Sequence, residues 1–374
     1  MGIVRFCDIL EYEQPSKYIV ESDQYKDEYK TPVLTAGKTF VLGYTNETEG
    51  IYHATKECPI ILFDDFTTDC KYIDFDFKVK SSAVKILKPK QSINLKYVYY
   101  VLNNIVYDTT SHKRYWISQY SNFTVKLPSI REQEKIVYEL ECIENLIKNK
   151  ESQKNKFKEL IKSQYINMFG DIINNSKNFA IKKLTDVSSV SSSKRIYARE
   201  YVDEGIPFYR SKEIIELGHG KKPSVELYIS KERYLEIKNK FGVPKIGDIM
   251  ITAVGTIGET WVVNNNTPFY FKDGNLLLVR PDGEINNVYF KYLLDELISD
   301  FKIKNISEGS YSALTIEELR KMQVLVPPMD LQKQFEIFIE KVNKQIKYCE
   351  DEIIKLNEIM KSKMQEYFGG VINE

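Results

Sequence analysis

The chain has 374 residues, which is longer than one ordinary domain and favours two or three domains. Its 53 basic and 53 acidic residues give a formal net charge of zero, which argues against a free-standing protein that grips nucleic acid through a basic excess. The five cysteines are scattered, no apolar run has membrane-spanning length, and the start of the chain has no signal-peptide hydrophobic region. We therefore expect a cytoplasmic protein without a zinc site, a disulfide framework or a membrane span.

Two regions of the chain, residues 1–126 and 181–325, share a layout more than a sequence. Each has a β-like run after a proline, a buried strand, an apolar run closed by a basic residue and proline, a short aromatic helix and a polar-aromatic loop. We predict that each region is a mixed α/β domain built on one plan. The segments are 32–38, 59–68, 84–89, 97–106 and 111–123 in the first region, and 207–213, 247–259, 276–281, 289–298 and 307–319 in the second.

A repeat follows each region, at residues 127–170 and 326–370, and residues 171–180 link the first repeat to the second region. With a constant offset of 199 residues and no gap, 12 of the 43 positions from Pro128 to Gly170 are identical in the two copies. Several identities in a Lys/Glu-rich segment could arise by chance. The matched ends, proline at one and Phe-Gly at the other, indicate a true duplication.

Both copies have the pattern of a long amphipathic helix. Ser129 with Glu132 predicts a capping box, Asp330 is a candidate N-cap of the second copy, and Gly170 and Gly369 stand where a terminating glycine is expected. The apolar residues follow the 4,3 spacing of a coiled-coil seam, although two independent surface helices are the alternative. The predicted seam consists of Ile136, Leu140, Ile143, Ile147, Phe157, Ile161, Phe335, Ile339, Val342, Ile346, Ile353, Leu356 and Met360.

The predicted fold class is α+β. Two mixed α/β domains are joined by two long helices that form an antiparallel coiled coil, and the whole has a pseudo-two-fold internal repeat. Because B-DNA has two-fold symmetry of its own, two dissimilar domains related in this way could read a bipartite, asymmetric sequence. The helix length would then fix the gap between the two halves of that sequence.

Several phrases of the sequence resemble the specificity subunit of type I restriction-modification enzymes. VLTAGKTFVLGYTNE, ILFDDFTTDCKYIDFDFKVKSSAVKIL and GDIMITAVGTIGET are similar to target-recognition domains of that family, and LPSIREQEKI and VPPMDLQKQF are similar to the openings of its spacer helices. The resemblance implies target-recognition domains at 1–126 and 181–325 and conserved spacer helices at 127–170 and 326–370.

The resemblance also implies partners. A subunit of this family is non-catalytic, binds double-stranded DNA and holds two modification (methyltransferase) subunits, usually with two restriction/translocase subunits. The complex methylates adenine N6 with S-adenosylmethionine or cleaves unmethylated DNA with ATP and Mg²⁺. Those cofactors are expected in the partner subunits, and none is expected in this chain.

Motifs for catalysis are missing from the sequence. There is no Asn/Asp-Pro-Pro-aromatic loop for a flipped adenine, and GTIGET (255–260) lacks the lysine of a P-loop. Asp64 and Asp65 could suggest a metal pair, but beside Phe-Thr-Thr they are predicted to orient a loop by hydrogen bonding. We predict a chain that is not itself an enzyme.

Candidate DNA contacts lie in loops and at strand ends, where Arg, Lys, Ser and Thr side chains can reach base edges and phosphates and aromatic rings can stack. Ordinary solvated loop residues are the alternative for each of them. In the first domain the candidates are Thr35, Lys38, Thr67, Thr68, Lys113, Arg114, Tyr115 and Trp116; in the second they are Lys194, Arg195, Arg210, Ser211, Lys212, Thr252, Thr256, Ser310 and Tyr311.

Two other functions remain open from the sequence. The chain could be a self-sufficient DNA modification enzyme with an atypical site, which S-adenosylmethionine binding by the purified chain would favour. It could also be a structural adaptor whose coiled coil only joins other proteins. Exchange of residues 1–126 for another recognition domain discriminates the adaptor from the DNA reader.

Overall fold

The computed structural model describes residues 2–36, 39–105, 114–307 and 313–369. These residues form two compact units: Met1–Gln153 with Cys349–Glu374, and Lys154–Tyr348. Each unit combines one mixed domain with a part of each long helix. The predicted fold class, two α/β domains with two long packed helices in an internal repeat, is confirmed.

In the described part of the first unit, the strands form a four-stranded sheet in the order β2-β8-β5-β6, a three-stranded sheet β4-β3-β7 and a two-stranded ribbon β1-β9. The elements in chain order are β1 (Gly2–Arg5), α1 (Phe6–Ile9), β2 (Leu10–Glu13), β3 (Thr31–Leu34), β4 (Val41–Thr45), β5 (Ile60–Asp64), β6 (Cys70–Ile73), β7 (Lys78–Val79), β8 (Val84–Pro89), α2 (Leu95–Asn104), α3 (Tyr115–Ser118), β9 (Thr124–Leu127) and the long helix α4 (Ile130–Phe169).

In the described part of the second unit, the strands form the sheets β11-β18-β15-β16 and β12-β14-β13-β17 and the ribbon β10-β19. The elements are β10 (Ala180–Lys183), β11 (Ser188–Ser191), β12 (Tyr201–Val202), β13 (Ile206–Tyr209), α5 (Ser211–Gly218), β14 (Tyr228–Ile229), α6 (Lys231–Lys240), β15 (Ile249–Thr252), β16 (Thr260–Val262), β17 (Tyr270–Phe271), β18 (Leu276–Pro281), α7 (Asn287–Ser307), α8 (Ile316–Lys321), β19 (Gln323–Val326) and the long helix α9 (Met329–Phe368).

The central sheets of the two domains have the same topology and the same register. Leu62 lies opposite Ile86 in the first, and Met250 lies opposite Leu278 in the second. The apolar runs at 84–89 and 276–281 form β8 and β18 with the predicted bounds, because continuous apolar runs suit strands covered on both faces. The run at 207–213 is different: its strand ends at Tyr209 and α5 follows.

The long helices α4 and α9 both run 40 residues. Ser129 Oγ accepts a hydrogen bond from Glu132 N at 3.4 Å at the start of α4. The prediction that Asp330 caps α9 is wrong, because the helix already begins at Met329. Pro328 O accepts the first helical amide bonds, and the Asp330 carboxylate lies in the first turn, where negative charge favours the helix dipole.

The two long helices pack antiparallel. Within the first unit, Tyr367 Oη donates to Glu139, and Cys349 Sγ donates to Gln153 Oε1 at 3.5 Å, so the α9 numbering falls as the α4 numbering rises. In the second unit, the rings of Tyr165 and Phe335 lie 5.5 Å apart. All of the residues predicted for the seam are buried or half-buried.

A buried glutamine ties each long helix to its own domain. Gln133 Nε2 donates to Pro128 O at 2.8 Å, and its Oε1 accepts from Asn94 N at 2.9 Å. Gln332 repeats this arrangement, donating to Pro327 O at 2.7 Å and accepting from Asn286 N at 2.8 Å. Because Asn94 and Asn286 are also the residues that cap α2 and α7, one glutamine fixes two helix starts in each unit.

The C-terminal ends of the long helices also have matching contacts. The Phe169 ring lies 4.5 Å from that of Tyr289 in the second unit, and the Phe368 ring lies 5.5 Å from that of Tyr97 in the first. Burial raises the pKa of Tyr97 to about 12, so its hydroxyl stays protonated and donates to Lys126 O at 3.0 Å. The C-terminal end of α4 therefore packs in the second unit, and the C-terminal end of α9 packs in the first.

Candidate nucleic-acid interface

In both domains, the loop after a buried strand meets the chain at or just before the start of a short helix. Tyr115 N donates to Asp65 O at 2.9 Å in the first domain, and Leu314 N donates to Ala253 O at 2.9 Å in the second. This backbone bond is common to the two domains and does not depend on the side chains that flank it. In the first domain this bond brings the loop of Thr67 and Thr68 next to the segment of Arg114 and Tyr115, which is distant in sequence. In the second domain it joins the loop of Thr252 and Thr256 to Leu314.

In the first domain, Asp64 shapes the loop that follows β5. Its carboxylate accepts from Phe66 N at 2.9 Å, from Thr67 N at 3.3 Å and from Thr67 Oγ1 at 2.5 Å. Thr68 has a φ of 65°, a left-handed conformation that costs energy for a β-branched residue. The loop therefore holds Thr67 exposed and Thr68 half-buried, and the prediction that Asp64 orients it by hydrogen bonding is confirmed.

Asp65 makes a buried ion pair beside the same loop. Its carboxylate lies 3.2 Å from Lys85 Nζ, and both side chains are almost fully buried. Lys85 also donates to Gln14 Oε1 at 2.9 Å, and the other carboxylate oxygen of Asp65 accepts from Trp116 N at 2.8 Å. The sequence pointed to Asp65 but missed Lys85, whose only signal is a lone charge within an apolar strand.

Two predicted stacking residues do not face solvent. Tyr115 and Trp116 are 2% and 1% exposed, and the Trp116 ring lies 5.3 Å from that of Phe63 in the core. The prediction that these rings offer stacking surface to nucleic acid is wrong in this structure, because hydrophobic burial of large aromatic groups outweighs exposure in a loop. Arg114, next to them, is exposed, and Lys113 lies outside the described residues.

Thr35 is half-buried at the end of β3, and its amide donates to Phe40 O at 3.2 Å. Its strand belongs to the three-stranded sheet, whereas the loop of Thr67 and Thr68 follows a strand of the four-stranded sheet. The structure thus gives Thr35 a separate place in the domain. Lys38 lies outside the described residues.

In the second domain, Lys194 and Arg195 are exposed. Lys194 N donates to Tyr270 Oη at 2.6 Å, and its ammonium group lies 5.3 Å from the centre of the Phe241 ring. The guanidinium of Arg195 bonds Asp273 at 2.8 Å. This exposed ion pair is weak, so exchange of its carboxylate for a phosphate would cost little.

Arg210 and Lys212 are joined to carboxylates rather than left free. Arg210 bonds Glu213 at 3.0 Å and Glu226 at 2.8 Å, and Lys212 bonds Glu226 at 2.8 Å. Lys212 and Arg210 together lower the pKa of Glu226 to about 2. Ser211 begins α5 and is half-buried, with its Oγ turned away from solvent. The cluster has no net charge, which limits its pull on DNA phosphates.

Thr252 and Thr256 occupy one loop but play different parts. Thr252 is fully buried; its hydroxyl donates to Thr256 O at 2.5 Å and accepts from Glu259 N at 2.9 Å. The prediction that Thr252 contacts DNA is wrong here, because its polar atoms close the loop from inside. Thr256 is exposed at the tip. Ser310 and Tyr311 lie outside the described residues.

A bound metal ion or a membrane-spanning helix requires its own arrangement of residues. Among residues 2–36, 39–105, 114–307 and 313–369, no group of His, Cys, Asp and Glu side chains is arranged to hold a metal ion. Within the same ranges, no helix is both long enough and apolar enough to cross a lipid bilayer. The exposed candidates that remain are polar side chains on loops, as expected for contact with base edges or phosphates.

The chain is similar in sequence to known DNA specificity proteins. Residues 176–358 match the family described as type I restriction modification DNA specificity domain. The chain is 54% identical over 125 residues to the EcoR124I/EcoR124II specificity subunit of Escherichia coli, a match that covers 32% of this chain and 31% of that protein. It is 26% identical over 318 residues to a putative type I specificity subunit of Haemophilus influenzae, covering 81% of this chain and 77% of that protein.

Solved structures have the same fold. The type I restriction-modification S subunit from M. genitalium superposes with a TM-score of 0.58 at 15% identity, covering 98% of this chain and 96% of that one. A chain from a study of complex assembly and conformational transition of a type I system gives 0.55 at 15% identity, covering 99% and 97%. The resemblance to type I specificity subunits that the sequence indicated is confirmed.

Proposed function

We propose that this chain acts as a type I restriction-modification specificity subunit and reads a bipartite DNA target, with one half assigned to each domain. The observation that carries the proposal is one backbone frame that bears different side chains. Asp65 O and Ala253 O accept equivalent amide bonds, but the loops that they fix expose Thr67 in one domain and Thr256 in the other. A constant frame with variable polar tips suits recognition of two different half-sites.

The long helices are proposed to set the spacing between the half-sites. Each helix is tied at its start by Gln133 or Gln332 and at its end by Phe169 or Phe368. A helix tied at both ends keeps the length that its 40 residues give it, about 60 Å. The gap in the target is therefore expected to follow the number of residues between them.

The same helices are proposed to dock two copies of a methyltransferase subunit. Large apolar side chains are exposed at equivalent positions of both copies: Tyr138 and Ile337 at 68% and 53%, and Leu160 and Ile359 at 44% and 49%. Each pair is separated by the repeat offset of 199 residues. Apolar groups repeated in this way fit two identical partners, one on each copy.

In this proposal the chain supplies recognition, and its partners supply the chemistry. The methyltransferase subunits would carry S-adenosylmethionine and methylate adenine N6, and restriction/translocase subunits, where present, would use ATP and Mg²⁺. The zero net charge of the chain agrees with this division, because partner subunits can contribute much of the contact to the DNA backbone.

The decisive experiment replaces residues 1–126 by the first recognition domain of another specificity subunit and sequences the methylome of a host that expresses it with the methyltransferase subunit. We expect one half of the methylated sequence to change, while the other half and the spacing stay as in the wild type. If the methylated sequence stayed unchanged, the chain would not be the DNA reader and only an adaptor role would be left for it. Binding of S-adenosylmethionine by the purified chain alone would instead support a self-sufficient enzyme.

A further inference from the structure

The two domains anchor their candidate recognition segments by different means. Residue 116 of the first domain and residue 315 of the second are equivalent under the repeat offset. Trp116 N donates to the carboxylate of Asp65, a residue about 50 positions earlier in the chain. Thr315 N donates at 2.6 Å to Glu318, which lies in the same helix as part of a capping box.

The position of Asp65 is apolar in the second domain. Asp65 N donates to Ala83 O at 2.9 Å, and its counterpart Ala253 N donates to Asn275 O at 2.8 Å. Lys85, which holds the Asp65 carboxylate, corresponds in strand register to Leu277. The second domain thus keeps the backbone frame and replaces the ion pair by alanine and leucine.

A buried ion pair is a costly way to stabilise a fold, because desolvation of both charges offsets most of their attraction. The second domain shows that the same frame folds with apolar residues at these positions. The pair in the first domain therefore needs another explanation, and its hydrogen bonds supply one. Asp65 joins the loop 64–68 to the start of α3 through a side chain as well as through its carbonyl oxygen.

We propose that Asp65, held in place by Lys85, is a positioning residue for DNA recognition by the first domain. It fixes the loop that bears the exposed Thr67 and the half-buried Thr68 to the segment that bears the exposed Arg114, so that these groups face DNA as one rigid set. In the second domain the equivalent segments are locked less directly, by the backbone bond and a local cap. This inference rests on the proposed function, since it assigns a role within recognition of one half-site.

Two double variants test the proposal. D65A/K85L copies Ala253 and Leu277 of the second domain and removes both charges together with the acceptor for Trp116 N. D65N/K85M also removes both charges but keeps an amide oxygen where the acceptor was. The two variants are matched in charge, so a difference between them reports on the acceptor. Single variants are avoided because they would bury one unpaired charge.

The measurement is methyl transfer by the full complex with its methyltransferase subunits, as kcat/KM on duplexes that contain the target or a base change in one half. For D65A/K85L we expect the discrimination against changes in the half read by the first domain to fall about tenfold, the order of one lost base contact. Discrimination at the other half should stay as in the wild type, and D65N/K85M should keep both.

The positioning role would be overturned if D65A/K85L discriminated at both halves as well as the wild type does. It would also be overturned if D65A/K85L lost discrimination equally at both halves in proportion to a loss of thermal stability. Hydrogen exchange of the wild-type chain gives a second test that needs no variant. The Trp116 amide should exchange slowly, and exchange at the rate of an open loop would refute the anchor. If the wild-type complex shows no bipartite target, the proposed function is wrong, and the positioning role, which rests on it, is wrong as well.

Discussion

The ends of the long helices and the loops of the domains have diverged to very different degrees. At the helix ends, even the side chains are repeated: Gln133 and Gln332 make the same two hydrogen bonds, and Phe169 and Phe368 each pack on an equivalent tyrosine. In the described part of the loops, the repeated contacts are backbone bonds. Contacts that fix the helices were thus kept residue by residue, while the loops proposed to read DNA kept only their backbone bonds.

Lengthening a helix should have the largest effect on function. Insertion of four residues after Lys154 adds one helical turn, about 6 Å, between the contacts of Gln133 and Phe169 at the two ends of α4. We expect the original target to lose methylation and a target with a gap about two base pairs longer to replace it, with both half-sites unchanged. Methylome sequencing measures this change.

The control is an insertion of four residues between Lys221 and Lys222, which are exposed within the second domain. It should leave the spacing as it was. A target that keeps its original gap after the insertion at Lys154 would show that the helix length does not set the spacing.

Replacing the phenylalanine at the C-terminal end of a long helix should have the largest effect on the free energy of unfolding. Phe169 is fully buried against Tyr289, Phe335 and Tyr165, so Phe169→Ala should lower the free energy of unfolding by about 3–5 kcal/mol. Phe368→Ala should cost somewhat less, since fewer rings surround Phe368 among the described residues. Chemical denaturation of both variants measures the difference.

Ile166→Ala is the control for these two variants, because Ile166 lies on the same helix and is 53% exposed. It should change stability little. Equal losses at Phe169 and Ile166 would contradict the assignment of the helix end to the core.

Replacing Gln133 or Gln332 should cause the next largest loss of stability. Gln332→Leu leaves Asn286 N and Pro327 O without their buried partner, which should destabilise the fold by about 2–4 kcal/mol. Gln133→Leu should cost a similar amount, because its contacts are the same. Gln345→Leu, at an exposed position of α9, is the matched control. A loss at only one of the two glutamines would break the equivalence of the helix starts.

The smallest effect is expected in the loops. Glu226→Gln frees Lys212 and removes one of the two carboxylate partners of Arg210, so DNA affinity of the complex should rise about two- to fivefold at low salt and depend more steeply on salt. Glu204→Gln makes the same charge change at another exposed position as a control. Affinity that is unchanged, or raised equally by both variants, would remove Arg210 and Lys212 from the interface.

Acidification cannot replace the Glu226 substitution. The folded-state pKa of Glu226 is lowered to about 2 by Lys212 and Arg210, so its ion pairs persist above the ordinary carboxylate pKa. They are lost only as the pH falls toward 2. Binding measured between pH 5 and pH 8 should therefore show no step from this group.

The sequence predicted most of the fold but little of the burial of the candidate interface residues. Repeated spacing and apolar runs predicted β8, β18 and both long helices, because periodic burial leaves a direct trace in one stretch of sequence. The error at Asp330 was one of local capping. Trp116 was misjudged because its burial depends on Phe63, a partner distant in sequence. Thr252 was misjudged because the loop folds back so that its hydroxyl meets the backbone of Thr256 and Glu259, which the pattern of residue types does not reveal. Lys85 was missed for the same reason as Trp116.

The exchange of helix ends bears on how the chain folds as it is synthesised. Tyr97 and the Phe368 ring that covers it are 271 residues apart in the sequence. At roughly 5–20 residues per second, a ribosome needs about 14–54 s to complete that interval. During this time the first domain lacks the Phe368 ring, and Ile136 and Leu140 have not yet packed against α9. A nascent chain of this length should therefore bind chaperones until its final helix emerges.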